Sequence, residues 1–155
     1  MIIQKTREEI ELMRESALIV SKTLGMIASE IKEGVTTLYL DKLAEEFIRD
    51  HGAVPSFLGL YGFPNSLCMS PNAQVVHGIP NNKPLESGDV ISVDCGAFKN
   101  GFHGDHAYSF EIGEVAEDVK KLLRVTKESL YVGIREFKAG NRVERRIGRD
   151  DMLVG

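Results

Sequence analysis

Asp89–Ile112, DVISVDCGAFKNGFHGDHAYSFEI, is the stretch on which the reading of the whole chain turns. Val90–Phe98 is rich in β-branched and apolar residues, and Tyr108, Phe110 and Ile112 alternate with Ala107, Ser109 and Glu111. Between the two runs sits Asn100-Gly101, the pair that best suits a two-residue turn with both central residues at positive φ. The stretch therefore predicts a β-hairpin. Counting back from the turn sets its register: Lys99 faces Phe102, Phe98 faces His103, Gly96 faces Asp105, and Asp94 faces Ala107.

Side chains alternate along a strand, so Asp94 and Gly96 share a face with Asp105 and Ala107. Asp94 and Asp105 become diagonal neighbours whose backbones lie about 7–8 Å apart, within reach of a shared cation. Gly96, opposite Asp105, has no side chain to fill the space between them. Two readings are open on the residues alone. The carboxylates are either a solvated acidic pair or metal ligands. Asp94 sits inside the apolar run Ile91-Ser92-Val93-Asp94-Cys95, where a charge is costly unless it is paired or bound to a cation. His103 and His106 are close in sequence but are read as pointing away from the Asp94 face, and neither is taken as a ligand.

Upstream, Thr6-Arg7-Glu8-Glu9 is a capping box that opens a helix, with Ile10, Met13, Ala17, Val20, Leu24, Ile27 and Ile31 on one face and Gly34 as its stop. A second helix starts at Thr36 or Thr37, turns Leu40, Leu43, Phe47 and Ile48 inward, and ends at His51-Gly52. His51 is read as a helix-end residue. Pro and Gly punctuate residues 53–84, so this part predicts loops and short apolar pieces. Phe57, Leu60, Tyr61 and Phe63 there either fold over the core or line an apolar pocket. Gln74-Val75-Val76 predicts a short strand ending at His77-Gly78. After Gly113, the spacing of Val119, Leu122, Thr126, Leu130, Ile134 and Phe137 predicts a long amphipathic helix packed on the sheet.

Bulk properties bound the function. The 155 residues suffice for one domain with a core, and 43% apolar with 27% charged residues suits a globular protein. A net charge of −4 without a basic stripe gives no sign of nucleic acid as a partner. No run is apolar and long enough to span a bilayer, and the charged N-terminus does not suit a secretory signal. Cys68 and Cys95 make no disulfide framework, so the cytoplasm is the expected location.

Taken together, Val75-Val76-His77-Gly78-Ile79-Pro80, then Asp94-x-Gly96, then Asn100-Gly101-Phe102-His103-Gly104-Asp105 resemble the type I methionine aminopeptidases. The resemblance runs from the N-terminus to about Asn141. It implies an α/β (α+β) fold, the N-terminal half of the pita-bread fold, with an antiparallel sheet covered by helices. It implies a metalloaminopeptidase that removes the N-terminal methionine of newly synthesised polypeptides. Asp94 and Asp105 would be metal ligands, His77 would be catalytic and contact substrate, and Phe57, Leu60, Phe63 and Cys68 would line the slot for the methionine side chain. The cofactors implied are divalent ions (cobalt, manganese, iron, zinc or nickel), two per complete site. The resemblance also implies a second half that supplies one further His and two Glu ligands. Residues 142–155, RVERRIGRDDMLVG, do not match this pattern and read as a truncated or frame-shifted tail. An incomplete site and exposed sheet are therefore expected, with self-association to cover them. The alternative is an inactive module that binds peptides or a partner chain.

Overall fold

The computed structural model describes residues 3–141. The chain divides into two compact units, Met1–Glu114 and Val115–Gly155. The tail expected to differ from the rest, 142–155, lies outside the described residues.

In the first unit, α1 (Arg7–Glu30) opens with the expected capping box. The Thr6 hydroxyl accepts the Glu9 backbone N–H, and the Glu9 carboxylate accepts the Thr6 N–H. The helix ends at Glu30, where Ile31 is already extended, rather than at Gly34; Gly34 instead donates its N–H to Leu85. The buried face is also rotated from the expected stripe. Ile10 and Met13 are exposed, while Ser16, Ile19, Val20, Thr23, Leu24 and Ile27 are buried. Two hydroxyl residues fit this face because each has an acceptor. Ser16 donates toward the carbonyls of Lys99 and Phe102 at the hairpin turn, and Thr23 donates to Ile19.

Helix α2 (Thr37–Asp50) is capped by Thr36 and buries Leu40, Ala44 and Ile48. His51 closes it as expected: its ring stacks on Phe47 and its Nδ1 lies 2.8 Å from the Phe47 carbonyl.

The sheet is antiparallel. It comprises β1 (Val54–Pro55), β2 (Leu67–Pro71), β3 (Val90–Lys99) and β4 (Phe102–Glu111). The register of β3 against β4 is the one counted from the turn, from Lys99↔Phe102 to Asp94↔Ala107. Asn100 and Gly101 both take positive φ, at 52° and 84°. The other edge of β3 is shared by β1 and β2, with Val54 opposite Phe98 and Cys68 opposite Asp94. Ile91, Val93, Cys95 and Ala97 face the helices and form the core with Leu67 and Met69.

Asn100→Ala is expected to cost about 1–2 kcal/mol, because alanine tolerates the left-handed region poorly. It also removes the 2.9 Å bond from Asn100 to Glu15. A lower urea midpoint with an unchanged slope would show this, and an unaltered midpoint would exclude it.

The second unit contains α3 (Glu117–Glu136), the long helix that was expected. Its apolar stripe of Leu122, Leu130, Ile134 and Phe137 is exposed, and no residue of the helix is buried.

Candidate functional site

The face of the sheet opposite the helical core carries Ser92, Asp94 and Gly96 on β3 and Asp105, Ala107 and Ser109 on β4. Cys68 of β2 joins the same row, directly opposite Asp94. The hairpin thus brings the two carboxylates together as the turn dictates. Asp105 is exposed, and Asp94 is half-buried. One Asp94 oxygen, Oδ1, is fully buried and has no hydrogen-bond partner. Such an atom is costly unless something electropositive meets it.

Electrostatics agree with this geometry. Burial, then the neighbouring Asp105 charge, push the Asp94 carboxyl up to about 6, against a partial offset from His77. Burial and the charges of Asp94 and Asp105 likewise push the Cys68 thiol up to about 11. Two carboxylates that cannot comfortably ionise together, one of them with a buried and unpartnered oxygen, fit a divalent cation. Among the described residues, however, no group of three or more His, Cys, Asp or Glu side chains is arranged to hold a metal.

This predicts an unusual pH dependence for the metal-free protein. The folded-state pKa of Asp94 is raised, so its ionisation weakens the fold. The stability it retains as a neutral acid is complete below about 3.8 and is lost as pH rises through about 6. Asp94→Asn should therefore exceed wild type by about 1–2 kcal/mol near neutral pH, after discounting 1.36 kcal/mol per pH unit for solvent access. The advantage should vanish in acid. Urea denaturation at both pH values checks this, and a variant no more stable at neutral pH would contradict it.

The space above Gly96 is not the empty cradle expected. A Cβ there would lie 2.8 Å from Ser56 Cβ and 2.9 Å from the Phe57 ring. Gly96 makes room for the Phe57 ring. Leu60 and Phe63 belong to the adjoining loop, in and just after a 3-10 turn at Leu60–Gly62. Leu60 is exposed and Phe63 half-buried. Cys68 thus stands opposite Asp94, and the Phe57 ring lies over Gly96, the strand partner of Asp105.

His103 corrects the sequence reading. Residues 103, 105 and 107 alternate together, so His103 shares the Asp105 face, and its Nδ1 lies 2.8 Å from Ser56 Oγ. His106 faces the other way, opposite Cys95. Gln74–Val76 is not a strand either. The strand is β2, and the chain turns after it, with Asn72 tied to Val90 and Asp89. It then returns so that Met69 donates to the Gly78 carbonyl and Gly78 to the Ser70 hydroxyl. A Cβ on Gly78 would collide with the Met69 carbonyl, so only glycine permits this return. His77 stands at the fold-back with φ of 59°, a conformation uncommon outside glycine and frequent at functional sites.

Residues 11–146 match metallopeptidase family M24. The methionine aminopeptidase of Clostridium perfringens is 49% identical over 143 residues, which are 92% of this chain and 57% of that protein. Methionine aminopeptidase 1 of Bacillus subtilis is also 49% identical, over 92% of this chain and 58% of its own length. The crystal structure of methionine aminopeptidase from Thermotoga maritima superposes with a TM-score of 0.89 at 37% identity, covering 92% of this chain and 57% of that one. The chain therefore spans little more than half the length of these relatives. The antiparallel sheet with helices on one face is the N-terminal half of the pita-bread fold that these structures share.

Proposed function

Because the chain belongs to metallopeptidase family M24, we propose that it is part of a methionine aminopeptidase, a hydrolase that removes the N-terminal methionine of newly made polypeptides. The observation that carries the metal centre is the buried, unpartnered Asp94 Oδ1 beside Asp105. In this reading Asp94 and Asp105 hold divalent ions, two in a complete site. When bound, such ions supply an activated water and polarise the scissile carbonyl. Cobalt, manganese, iron, zinc and nickel all suit the role, since carboxylate donors discriminate poorly among them.

His77 acts on the substrate. A neutral imidazole donates a hydrogen bond to the carbonyl oxygen as charge gathers there. Phe57, Leu60, Phe63 and Cys68 receive the methionine side chain, and aromatic, aliphatic and thiol surfaces suit a flexible thioether. The resemblance assigns the remaining ligands, one His and two Glu, to a second half of the fold. The same reading places the protein in the cytoplasm, where nascent chains are met, and no described helix is long and apolar enough to cross a membrane. It also makes self-association the means of covering exposed sheet edge and apolar surface.

The test is methionine release from a Met-Ala-Ser peptide by metal-stripped protein reloaded with manganese or cobalt, with Asp105→Ala alongside. Release that Asp105→Ala abolishes supports the reading. One observation favours a second reading, an inactive module that binds peptides or a partner chain: no third ligand stands near the pair among the described residues. Peptide binding without release would support that alternative.

A further inference from the structure

The loop from residue 56 to 66 carries three of the four residues assigned to the methionine slot and delivers the fourth, Cys68, into β2. Its middle is held mainly by its own turns, such as Gly59 to Phe63 at 2.8 Å, and Tyr61 stands fully exposed at φ of 49°. Its ends are different. At the entry, Ser56 donates its N–H to the Gly96 carbonyl and pairs through Oγ with His103, whose ring lies 4.6 Å from that of Phe98. At the exit stands Asp41, a carboxylate from α2 that is only 4% exposed. Its Oδ1 accepts the backbone N–H groups of Ser66 at 2.9 Å and Leu67 at 2.8 Å, and its Oδ2 accepts the Asn65 amide at 2.7 Å.

A buried carboxylate is tolerated only where donors meet it, and hydrogen bonds to a charged acceptor are stronger than neutral ones. Asp41 is set in a rigid base, since Leu40 and Ala44 beside it are fully buried in the core. The residue after its last partner is Cys68, which faces Asp94. Both oxygens of Asp41 are thus taken up by donors of the loop exit.

We propose that Asp41 is a positioning residue: it fixes the exit of the 56–66 loop, and so the place of Cys68 beside the carboxylate pair, while Ser56 and His103 fix the entry and the place of Phe57. The proposal rests on the aminopeptidase reading only for what the pocket receives. The anchoring can be tested without catalysis.

Two thiols make that test internal. Cys68 lies on the site face, and Cys95, opposite Leu67, lies on the core face with no exposure. Loosening of the loop unmasks Cys68 alone, whereas general unfolding unmasks both. The full chain is labelled with iodoacetamide under native conditions, and each cysteine is followed by mass spectrometry. Asp41→Ala should raise the Cys68 rate about tenfold or more and leave Cys95 unchanged, as expected for local opening after loss of charge-assisted bonds. Asp41→Asn should stay near wild type, because its carbonyl still accepts the two backbone groups and Asn65 can rotate to offer its oxygen. Asn65→Ala, which removes the side-chain donor to Asp41 Oδ2 at the same end of the loop, should also raise Cys68 alone, and it decides the matter if Asp41→Ala does not fold. Parallel rises at both thiols, or an unchanged Cys68 in a folded variant, would overturn the proposal. Methionine release is not read, so failure here leaves the aminopeptidase reading untouched.

Discussion

Gly104→Val is expected to leave the protein without a stable native state. A Cβ at this position would stand 2.5 Å from the Ala17 nitrogen, 2.6 Å from the Ser16 carbonyl carbon and 2.7 Å from the Ala17 Cα. All three are helix backbone, which cannot rotate away as a side chain can. β4 and α1 would have to separate. That would break the bonds from Ser16 to Lys99 and Phe102 and open the layer that covers Val20, Leu24 and Ile27. Overpacking costs about 1–3 kcal/mol where neighbours can yield. Here they cannot, and valine brings two further methyl groups against a total stability of roughly 5–15 kcal/mol. Gly101→Ala is the control. Its φ is 84°, but nothing lies within 4 Å of the added methyl group, so it should lose only the backbone preference and still unfold cooperatively. Thermal denaturation followed by circular dichroism separates the two. A Gly104→Val transition near that of wild type would show that α1 does not rest on β4 as described.

Asp105→Asn should reduce divalent-ion affinity by about 100-fold or more, the scale at which even outer-sphere partners of a metal begin to matter. The described residues offer two carboxylates and no third ligand, so losing either removes half of what is present. The predicted starting affinity is weak for the same reason, which makes calorimetric titration with manganese at high protein concentration the suitable assay. The variant should show no heat above dilution. Equal heats in both proteins would place the ion elsewhere.

The sequence made the hairpin legible in full. Asn100-Gly101 permits one turn geometry, the turn fixes the register, and the register places Asp94 diagonal to Asp105. Local signals of this kind survive because nothing distant can shift them. Most readings that shifted depended on distant partners, whereas that of His103 departed from the local alternation itself. The alternation that correctly aligned Asp94 also puts His103 on the Asp105 face, and its Ser56 partner is 47 residues away in sequence. Gly96 looked like an empty space beside Asp105, but Phe57 fills it from another edge of the sheet. The buried face of α1 could not be read from apolar spacing, because Ser16 and Thr23 are core residues whose hydroxyls are satisfied by carbonyls. β2 was hidden among prolines and glycines, and Asp41 was not singled out in the sequence. Its burial becomes visible only once the chain returns at Asn65–Leu67. A buried acid at a position one turn from Thr37 and beside Leu40 on the inward stripe is the one signal that could have revealed it.

Under the proposed function, a bound cation relieves the mutual repulsion of Asp94 and Asp105. The measurement that tests it most directly is the carbon-13 titration of the Asp94 carboxyl by NMR, in metal-free protein and again with a diamagnetic divalent ion such as zinc. The expected midpoint is about 6 without metal, falling toward the ordinary carboxylate range when the ion is present. A midpoint already at the ordinary value of 3.8, unmoved by the ion, would contradict it.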